Sequence, residues 1–275
     1  MFRRQTTGSV VCVSCGYLVG VNDPQCYHCG RRNPGLWGFA PAFRKLGGDM
    51  GFVPFVIGTC LVLYTVTLLL SGPSVLSGGG SLLNFLAPSQ NVIMIFGASG
   101  YFPVFLLHRW WTIFSASWLH ASLLHIGFNM MWIRQLGPTV GEFYGAGRMV
   151  IIYTVAGAVG FLVSSLANNA VTLGASASIF GLLGALVYYG RRTGSSHVSG
   201  QALSWAVTVF VMGFIMSGVD NWAHAGGFAG GYVAGLVLDP LKPERIDHLV
   251  IAVGCLVVSI LSIVVSIVHG LSFLR

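Results

Sequence analysis

A serine and a histidine stand at the starts of two otherwise apolar segments of this chain. Ser176 follows Gly174 in the run Gly-Ala-Ser-Ala, and His224 lies in the run Ala-His-Ala-Gly-Gly. A third polar station runs from His120 to Asn129, again at the start of an apolar run. Polar and ionisable side chains are costly inside a bilayer and mark functional sites there by default. The three stations are therefore the first candidates for chemistry.

These residue types suit hydrolysis by a nucleophilic serine. A serine hydroxyl is a weak nucleophile until a base removes its proton, and histidine is the side chain best suited to that task near neutral pH. Ser176 would begin a helix, whose free N–H groups favour a developing negative charge. His125 and Asn129 are four residues apart, so they share one helix face and both can donate hydrogen bonds to an oxyanion.

Each of these residues has an ordinary structural explanation when taken alone. A serine in a membrane helix commonly bonds to its own backbone, and a histidine at the end of a span can be an interfacial residue. Asp220, four residues before His224, is expected to be the N-cap of that segment rather than a third catalytic group. Only the combination of a serine, a histidine and a histidine–asparagine pair points to catalysis.

The composition places these stations in a membrane protein. Of 275 residues, 55% are hydrophobic and 8% are charged, and the mean hydropathy is +0.79; soluble domains have about 25% charged residues. The net charge of +7 is spread over the segments between apolar runs, so nucleic acid is not an expected partner. The polar, cysteine-bearing start of the chain does not have the form of a signal peptide.

The apolar runs predict an all-α, polytopic fold. A helix needs about 20 apolar residues to cross the hydrocarbon core. Seven spans are predicted, at about 51–71, 117–136, 148–168, 175–190, 201–218, 221–238 and 248–271. The segment 72–116, with Trp110, Trp111 and the glycines at 78–80, is expected to lie partly in the membrane interface. Residues 51–275 would form the membrane domain, and residues 36–50 a linker before it.

The basic residues predict the orientation of these spans. With a cytoplasmic N-terminus, twelve of the 14 Lys and Arg residues fall on the cytoplasmic side, and only Arg109 and Arg275 fall outside. The twelve are Arg3, Arg4, Arg31, Arg32, Arg44, Lys45, Arg134, Arg148, Arg191, Arg192, Lys242 and Arg245. Spans two, four and six then run inward, so the three stations share one shallow depth below the outer face. The expected location is the cytoplasmic (inner) membrane of a prokaryote.

Small residues provide a way for two of these spans to meet. They recur at four-residue intervals in span six, as Gly227, Gly231 and Gly235, and in span four, as Ala177, Gly181 and Ala185. Such stripes allow close backbone approach between membrane helices. Generic packing also explains them, but if these two spans are neighbours, Ser176 and His224 come together.

The N-terminal residues 1–35 carry a separate pattern. Cys12, Cys15, Cys26 and Cys29 form two Cys-x2-Cys-Gly knuckles. Four thiolates suit tetrahedral zinc, and a closed shell of this kind predicts a structural Zn²⁺ rather than a catalytic one. Two disulfides are the alternative, but disulfides seldom persist in a reducing cytoplasm. The module resembles zinc ribbons; it would lie in the cytosol, and the sequence does not specify its partner there.

Three motifs in order give the chain a resemblance to a known family. They are His-x4-His-x3-Asn beginning at His120, Gly-x-Ser ending at Ser176, and Ala-His-x2-Gly-x3-Gly containing His224. Over about residues 100–240 they resemble the rhomboid intramembrane serine proteases. The resemblance implies a rhomboid-like six-helix bundle with one additional C-terminal transmembrane helix, here preceded by the zinc ribbon.

The resemblance also implies a role for each station. Ser176 would be the nucleophile and His224 its base, in a dyad without a carboxylate. His125 and Asn129 would form the oxyanion hole together with the backbone N–H of Ser176. The substrates implied are transmembrane segments of other proteins, cleaved within the lipid bilayer, and catalysis would need no cofactor.

Other positions match the family pattern or depart from it. Phe180 matches an aromatic position expected to pack on the catalytic histidine, and His120 matches a structural histidine. Ala177 stands where the family usually has a glycine after the serine. Trp111 is followed by Thr112, where the family often has Trp-Arg. These departures bear on efficiency and loop geometry more than on the reaction.

Two other functions compete with proteolysis. A catalytically inactive rhomboid-like protein would bind transmembrane clients without cleaving them. Family members of that kind have typically lost the serine or the histidine, whereas Ser176 and His224 are both present. A zinc transporter would need carboxylate or histidine ligands along a path through the membrane, and the polar stations here all lie at one end.

Overall fold

A computed structural model describes residues 4–44, 48–77, 84–216 and 218–272 of the chain. Within these residues a small β-ribbon precedes a predominantly helical membrane region. Several residues on which the sequence analysis drew lie outside the described part of the chain, namely Arg3, Lys45, Arg275 and the glycines at 78–80.

The ribbon is built on two short antiparallel strands, β1 (Ser9–Val11) and β2 (Leu18–Gly20). Val10 pairs with Val19 across the ribbon, and both side chains are buried with Cys12 and Cys26. So few apolar side chains cannot stabilise an independent domain of this size without a metal or disulfides. A short helix, α1 (Ala40–Arg44), follows.

Seven long helices in the described part of the chain follow the order of the predicted spans. They are α2 (Phe52–Ser71), α5 (Leu123–Tyr144), α6 (Ala146–Leu166), α7 (Ser176–Thr193), α8 (Ser196–Ile215), α9 (Asn221–Val237) and α10 (Ile246–Ser272). Two shorter helices, α3 (Gln90–Phe96) and α4 (Thr112–Ser115), lie between the first two. The predicted all-α fold is confirmed.

Four of these helices, α2, α6, α8 and α10, are long and apolar enough to cross a membrane by length and composition alone. The other three, α5, α7 and α9, are the helices that carry the polar stations. Helix α6 is the most deeply buried of the four, since most of its length is covered by other helices. Helices α7 and α9 pack against α6 and against each other.

Helix α5 begins later than predicted, at Leu123 rather than near residue 117, and it extends to Tyr144. Ser122 is its N-cap, because the serine side chain accepts a hydrogen bond from the backbone N–H of His125 at 3.3 Å. His120 consequently lies in the turn before the helix, where it is buried.

Helices α7 and α9 are in direct backbone contact through the glycine stripe. A methyl group at Gly227 would overlap the carbonyl oxygen of Ala177, and one at Gly231 would overlap that of Gly181. Only glycine permits this approach. The expectation that spans four and six are neighbours is confirmed.

The segment between α3 and α5 is folded against the last helix. The buried guanidinium of Arg109 donates to the carbonyl oxygens of Met94 at 2.8 Å and of Ser266 at 3.0 Å. The indole Nε1 of Trp111 donates to the hydroxyl of Ser266 at 3.0 Å. Helix α10 is thereby attached to this segment at the end of the bundle that carries the stations.

The ribbon contacts the membrane region at the opposite end, on the connection between α9 and α10. The backbone carbonyl of Glu244 accepts hydrogen bonds from Arg31 Nη1 at 3.3 Å and from Ser14 Oγ at 3.4 Å. The Glu244 carboxylate accepts from the backbone N–H of Arg148 at 3.0 Å. Burial raises the pKa of Glu244, and this hydrogen bond and the charges of Arg148 and Arg31 oppose that rise. A cavity of about 750 Å³ lies between the ribbon and the α5–α6 turn.

Candidate active site

Ser176 is the first residue of α7 and is half-buried. The preceding Ala175 makes no side-chain cap, so no side chain competes for the N–H groups of the first turn. Gly174 has a φ of +126°, a conformation that favours glycine. Its backbone N–H donates to the carbonyl of Ala116 at 2.9 Å, which fixes the approach to the helix.

His224 lies in the first turn of α9, where it is buried. Its ring stacks on that of Phe180, with 4.2 Å between the ring centroids and 9° between the planes. Phe180 is one turn beyond Ser176 on α7, so this stacking holds the imidazole beside the start of that helix. The packing expected of Phe180 is confirmed.

The residue that follows Ser176 and the residue that precedes His224 both lie against Gly160 of α6. A methyl group at Gly160 would lie 2.6 Å from the carbonyl oxygen of Ala223 and 2.9 Å from the Cβ of Ala177. Gly160 therefore lies between the residue after Ser176 and the residue before His224. Two helix N-termini converge at this point of the bundle.

The described residues supply no hydrogen bond between Ser176 and His224, and the Nδ1 of His224 has no partner among them. Catalytic hydrogen bonds are often long or poorly aligned before substrate binds, so this geometry does not argue against the pair. No carboxylate among the described residues accepts a hydrogen bond from the Nδ1 of His224.

The carboxylate of Asp220 is engaged elsewhere. It accepts from the backbone N–H of Ala223 at 3.0 Å, from Asn169 Nδ2 at 2.8 Å and from Ser164 Oγ. Asp220 is thus the N-cap of α9, as predicted.

His125 lies against the turn that leads to Ser176. Its Nδ1 accepts a hydrogen bond from the backbone N–H of Ala121 at 3.3 Å, so a neutral ring carries its proton on Nε2. A methyl group at Gly174 would lie 2.5 Å from this Nε2 and 3.7 Å from Ser176 Oγ. The donor nitrogen of His125 therefore faces the start of α7, and the His120 ring packs at an angle against His125 at 5.2 Å between centroids.

Asn129 is buried one turn further along α5. Its Nδ2 donates to the backbone carbonyl of His125 at 2.8 Å, which uses one of its two N–H groups. Asn129 therefore secures the turn that carries His125 and keeps a second N–H.

The two residues after the serine face the protein interior. The methyl group of Ala177 packs in a buried cluster with Ala116, Phe161 and Ala223. The hydroxyl of Ser178 lies 3.1 Å from that of Ser117, and both residues are buried. Ser178 is thus structural, and Ala177 fills space rather than obstructing the turn.

The four ribbon cysteines form a second centre. Their sulfur atoms all lie within 4.8 Å of one another, with Cys12 and Cys29 at 3.8 Å and Cys15 and Cys26 at 3.7 Å. A tetrahedral site with Zn–S bonds of about 2.3 Å has sulfur–sulfur edges of about 3.8 Å. All four thiols are free. The donor set and spacing therefore fit a metal ion rather than two disulfides.

Cys15 and Cys26, one from each knuckle, differ in the acidity of their thiols. Burial, and then the neighbouring thiols, raise the pKa of Cys15 to about 12. Burial also acts on Cys26, but backbone N–H groups of Cys29 and His28 outweigh it and bring the Cys26 pKa to about 7. The glycines that close the knuckles, Gly16 and Gly30, have φ values of +77° and +72°.

Ser164 and Asn169, the partners of Asp220, were not predicted as site residues from the sequence. Asn169 belongs to an Asn-Asn pair between two apolar runs, and Ser164 begins a Ser-Ser pair at the end of the third predicted span. Pairs of polar residues at the ends of predicted spans mark these positions in the sequence. That both side chains bind Asp220 is visible only in the folded structure.

Residues 107–241 match the family model described as Rhomboid domain. The Rhomboid protease GluP of Bacillus subtilis (strain 168) is 32% identical over 133 residues, which are 47% of this chain and 26% of that protein. RHOMBOID-like protein 1 of Arabidopsis thaliana is 32% identical over 158 residues, which are 55% of this chain and 40% of that protein.

Inactive RHOMBOID-like protein 8 of Arabidopsis thaliana is 28% identical over 148 residues, which are 52% of this chain and 42% of that protein. The chain thus spans less than half the length of these three relatives. Residues 107–241, just under half of the chain, thus carry a rhomboid domain, and over about half of its length the chain is similar to members of the rhomboid family.

Proposed function

We propose that this chain is an intramembrane serine endopeptidase that cleaves transmembrane segments of other membrane proteins. Ser176 and His224 form its dyad. The observation that carries the proposal is the stacking of His224 on Phe180, one turn beyond Ser176, where two helix N-termini converge.

The proposed reaction proceeds in two steps. His224 takes the proton of Ser176 as the hydroxyl oxygen attacks the scissile carbonyl carbon, and the tetrahedral intermediate expels the amine, which receives that proton. Water, deprotonated by His224, then attacks the ester, and Ser176 leaves with the proton returned to it. Stacking on Phe180 keeps the imidazole ring in one plane throughout both steps.

The developing oxyanion would be stabilised by groups that already face the start of α7. The first-turn N–H of Ser176 is free of a side-chain cap. His125 offers the N–H of Nε2, because its Nδ1 is held as an acceptor by Ala121. Donors fixed before the reaction need no reorganisation in the transition state, and each is worth several kcal/mol. Asn129 would contribute through its second N–H.

The remaining parts of the proposal concern the ribbon and the membrane. Cys12, Cys15, Cys26 and Cys29 would hold one structural Zn²⁺. The ribbon would lie in the cytoplasm of a prokaryote with the chain in the inner membrane, because most basic residues then fall inside. An unknown cytosolic partner would contact the ribbon.

The test is labelling of the purified, detergent-solubilised protein by a fluorophosphonate probe, together with cleavage of a transmembrane model substrate. Ser176→Ala and His224→Ala are compared with Ser178→Ala, a matched serine that is bonded to Ser117 and buried. Labelling and cleavage are expected in wild type and Ser178→Ala and in neither dyad variant.

Absence of both activities from folded wild type would support the alternative function, a catalytically inactive rhomboid-like protein that binds transmembrane clients. One relative carries the word inactive in its name. Binding without cleavage is measurable by crosslinking of the same model substrate to wild type.

A further inference from the structure

One carboxylate connects the two segments that deliver the proposed dyad. Asp220 begins α9, four residues before His224, and caps it through the backbone N–H of Ala223 at 3.0 Å. The same carboxylate accepts from Asn169 Nδ2 at 2.8 Å and from Ser164 Oγ. Asn169 Nδ2 also lies 3.2 Å from Ser164 Oγ, so the three side chains form a closed network.

Asn169 begins the segment that leads to Ser176. This segment, residues 169–174, is held on its other side by the chain between α3 and α4. The carbonyls of Asn169 and Ala170 accept from the backbone N–H groups of Tyr101 and Phe102 at 2.7 Å and 3.1 Å.

Further along the same segment, Ser99 and Thr172 exchange two backbone hydrogen bonds, at 2.9 Å and 2.7 Å. The N–H of Gly174 then donates to the carbonyl of Ala116. The segment is therefore a strap that is fastened along its length on one side, with the Asn169 side chain reaching across to Asp220.

We infer that Asp220 is a positioning residue, which sets the placement of His224 relative to Ser176 by joining the strap of residues 169–174 to the start of α9. The inference rests on the proposed function, because it concerns the geometry of that dyad. Asp220 makes no proton transfer in this proposal.

Capping alone does not account for the arrangement. A serine or asparagine would cap α9 as well as aspartate, and neither would need Asn169 or Ser164. Aspartate reaches further than serine and, unlike asparagine, has two acceptor oxygens, so one residue can hold three donors from α6, the strap and α9. A misplacement of about 1 Å in reacting groups costs about 10²-fold in rate, so a joint of this kind acts on kcat.

The test separates positioning from capping by choice of variant. Asp220→Ser keeps a capping oxygen but is too short to reach Asn169. Asn169→Ala keeps the cap on α9 and removes the side-chain hydrogen bond between the strap and Asp220. Asn169→Asp places a second carboxylate opposite that of Asp220, so that two like charges face each other. Adding Asp220→Asn to this variant restores a pair of one amide and one carboxylate, with the two positions exchanged. Asp239→Asn makes the same acid-to-amide change at the other end of α9 and is the control.

Purified full-length variants are compared by kcat and KM for the model substrate, by fluorophosphonate labelling rate and by thermal unfolding. We expect kcat to fall by about tenfold or more in Asp220→Ser, Asn169→Ala and Asn169→Asp, with KM within about twofold. The double variant Asp220→Asn with Asn169→Asp is expected to recover most of the loss, and Asp239→Asn to match wild type.

The inference is wrong if folded Asp220→Ser and Asn169→Ala both keep the wild-type kcat. It is also wrong if the double variant has no higher kcat than Asn169→Asp alone. A fall in kcat that only parallels a fall in unfolding temperature also overturns it, because the residues would then be merely structural. Inactive wild type overturns the proposed function and this inference with it; active wild type with unaffected variants overturns this inference alone.

Discussion

At the scale of single residues, the two histidines of the proposed active site differ in the contacts that hold their rings. The Nδ1 of His125 is bonded to the backbone of Ala121, which assigns its proton to the nitrogen that faces the start of α7. The Nδ1 of His224 has no partner among the described residues, and its ring is held by stacking on Phe180. The first arrangement favours a fixed hydrogen-bond donor, and the second favours a ring that gains and loses a proton.

This difference leads to a prediction for the oxyanion donors. Because the His125 donor is directed at the site, His125→Ala is expected to lower kcat by about 10²–10³-fold. Asn129→Ala is expected to lower it by only about tenfold, because the main bond of the amide is to the His125 carbonyl and its loss acts through position. The measurement is kcat and KM for the model substrate at saturating concentration.

The control for this comparison is Asn168→Gly, since Asn168 is exposed and has a φ of +63° that glycine adopts readily. Equal losses in His125→Ala and Asn129→Ala would contradict the division of roles, because it requires the histidine to contribute more.

At the scale of elements, the contact between α7 and α9 depends on residues that have no side chain. Gly227 and Gly231 face backbone carbonyls of α7 so closely that no larger residue fits. The helices cannot separate without moving His224 away from the start of α7. The stripe is therefore expected to affect both the stability of the bundle and the position of His224.

A glycine-to-alanine pair tests this contact. Gly227→Ala is expected to lower the free energy of unfolding by about 1–3 kcal/mol through overpacking and to abolish fluorophosphonate labelling. Gly254→Ala is the matched control, because a methyl group there would meet no atom within 4 Å. It is expected to label at the wild-type rate and to unfold at the same temperature or slightly higher, since alanine favours helix.

Labelling of Gly227→Ala at the wild-type rate would show that the two helices tolerate separation. The contact would then have no part in placing the histidine. Thermal unfolding of both variants in the same detergent distinguishes that outcome from general misfolding.

The elements themselves were largely predictable from the sequence. Seven apolar runs and the small-residue stripes predicted the long helices and the α7–α9 contact, because burial in a membrane imposes length and periodicity. The start of α5 was predicted too early, since hydropathy does not register the cap at Ser122. The joint of Asp220 with Asn169 and Ser164 was not predictable, because three distant segments supply it and no local period marks their meeting.

At the scale of the whole molecule, the proposed dyad and the ribbon lie at opposite ends of the membrane region. The proposed dyad lies at the end where α7 and α9 begin, and the ribbon contacts the connection after α9 ends. The buried Arg148 binds this connection through the carbonyls of Leu238 and Asp239 at 2.9 Å and 2.8 Å. Ribbon, connection and α6 therefore form one hydrogen-bonded junction.

The ribbon's part in this junction is expected to depend on a metal. Purified wild type should contain about one zinc ion per chain, and Cys26→Ser should contain almost none, because a tetrahedral site with three thiolates is much weaker. Cys60→Ser and Cys255→Ser are the controls, since both cysteines lie in membrane helices and not in the ribbon. Elemental analysis of the protein after gel filtration gives the zinc content.

Loss of zinc should then release the ribbon, because its small core cannot hold the strands alone. Release would break the bonds from Ser14 and Arg31 to Glu244 and open the ribbon, including the peptide bond after Arg32, to protease. Limited trypsin digestion should therefore cut Cys26→Ser in this region at least about tenfold faster than wild type. Arg31→Ala, which keeps all four ligands, should retain zinc yet be cut at an intermediate rate. Equal digestion of Cys26→Ser and wild type would mean that the ribbon stays docked without metal, and zinc would then have no structural task at this junction.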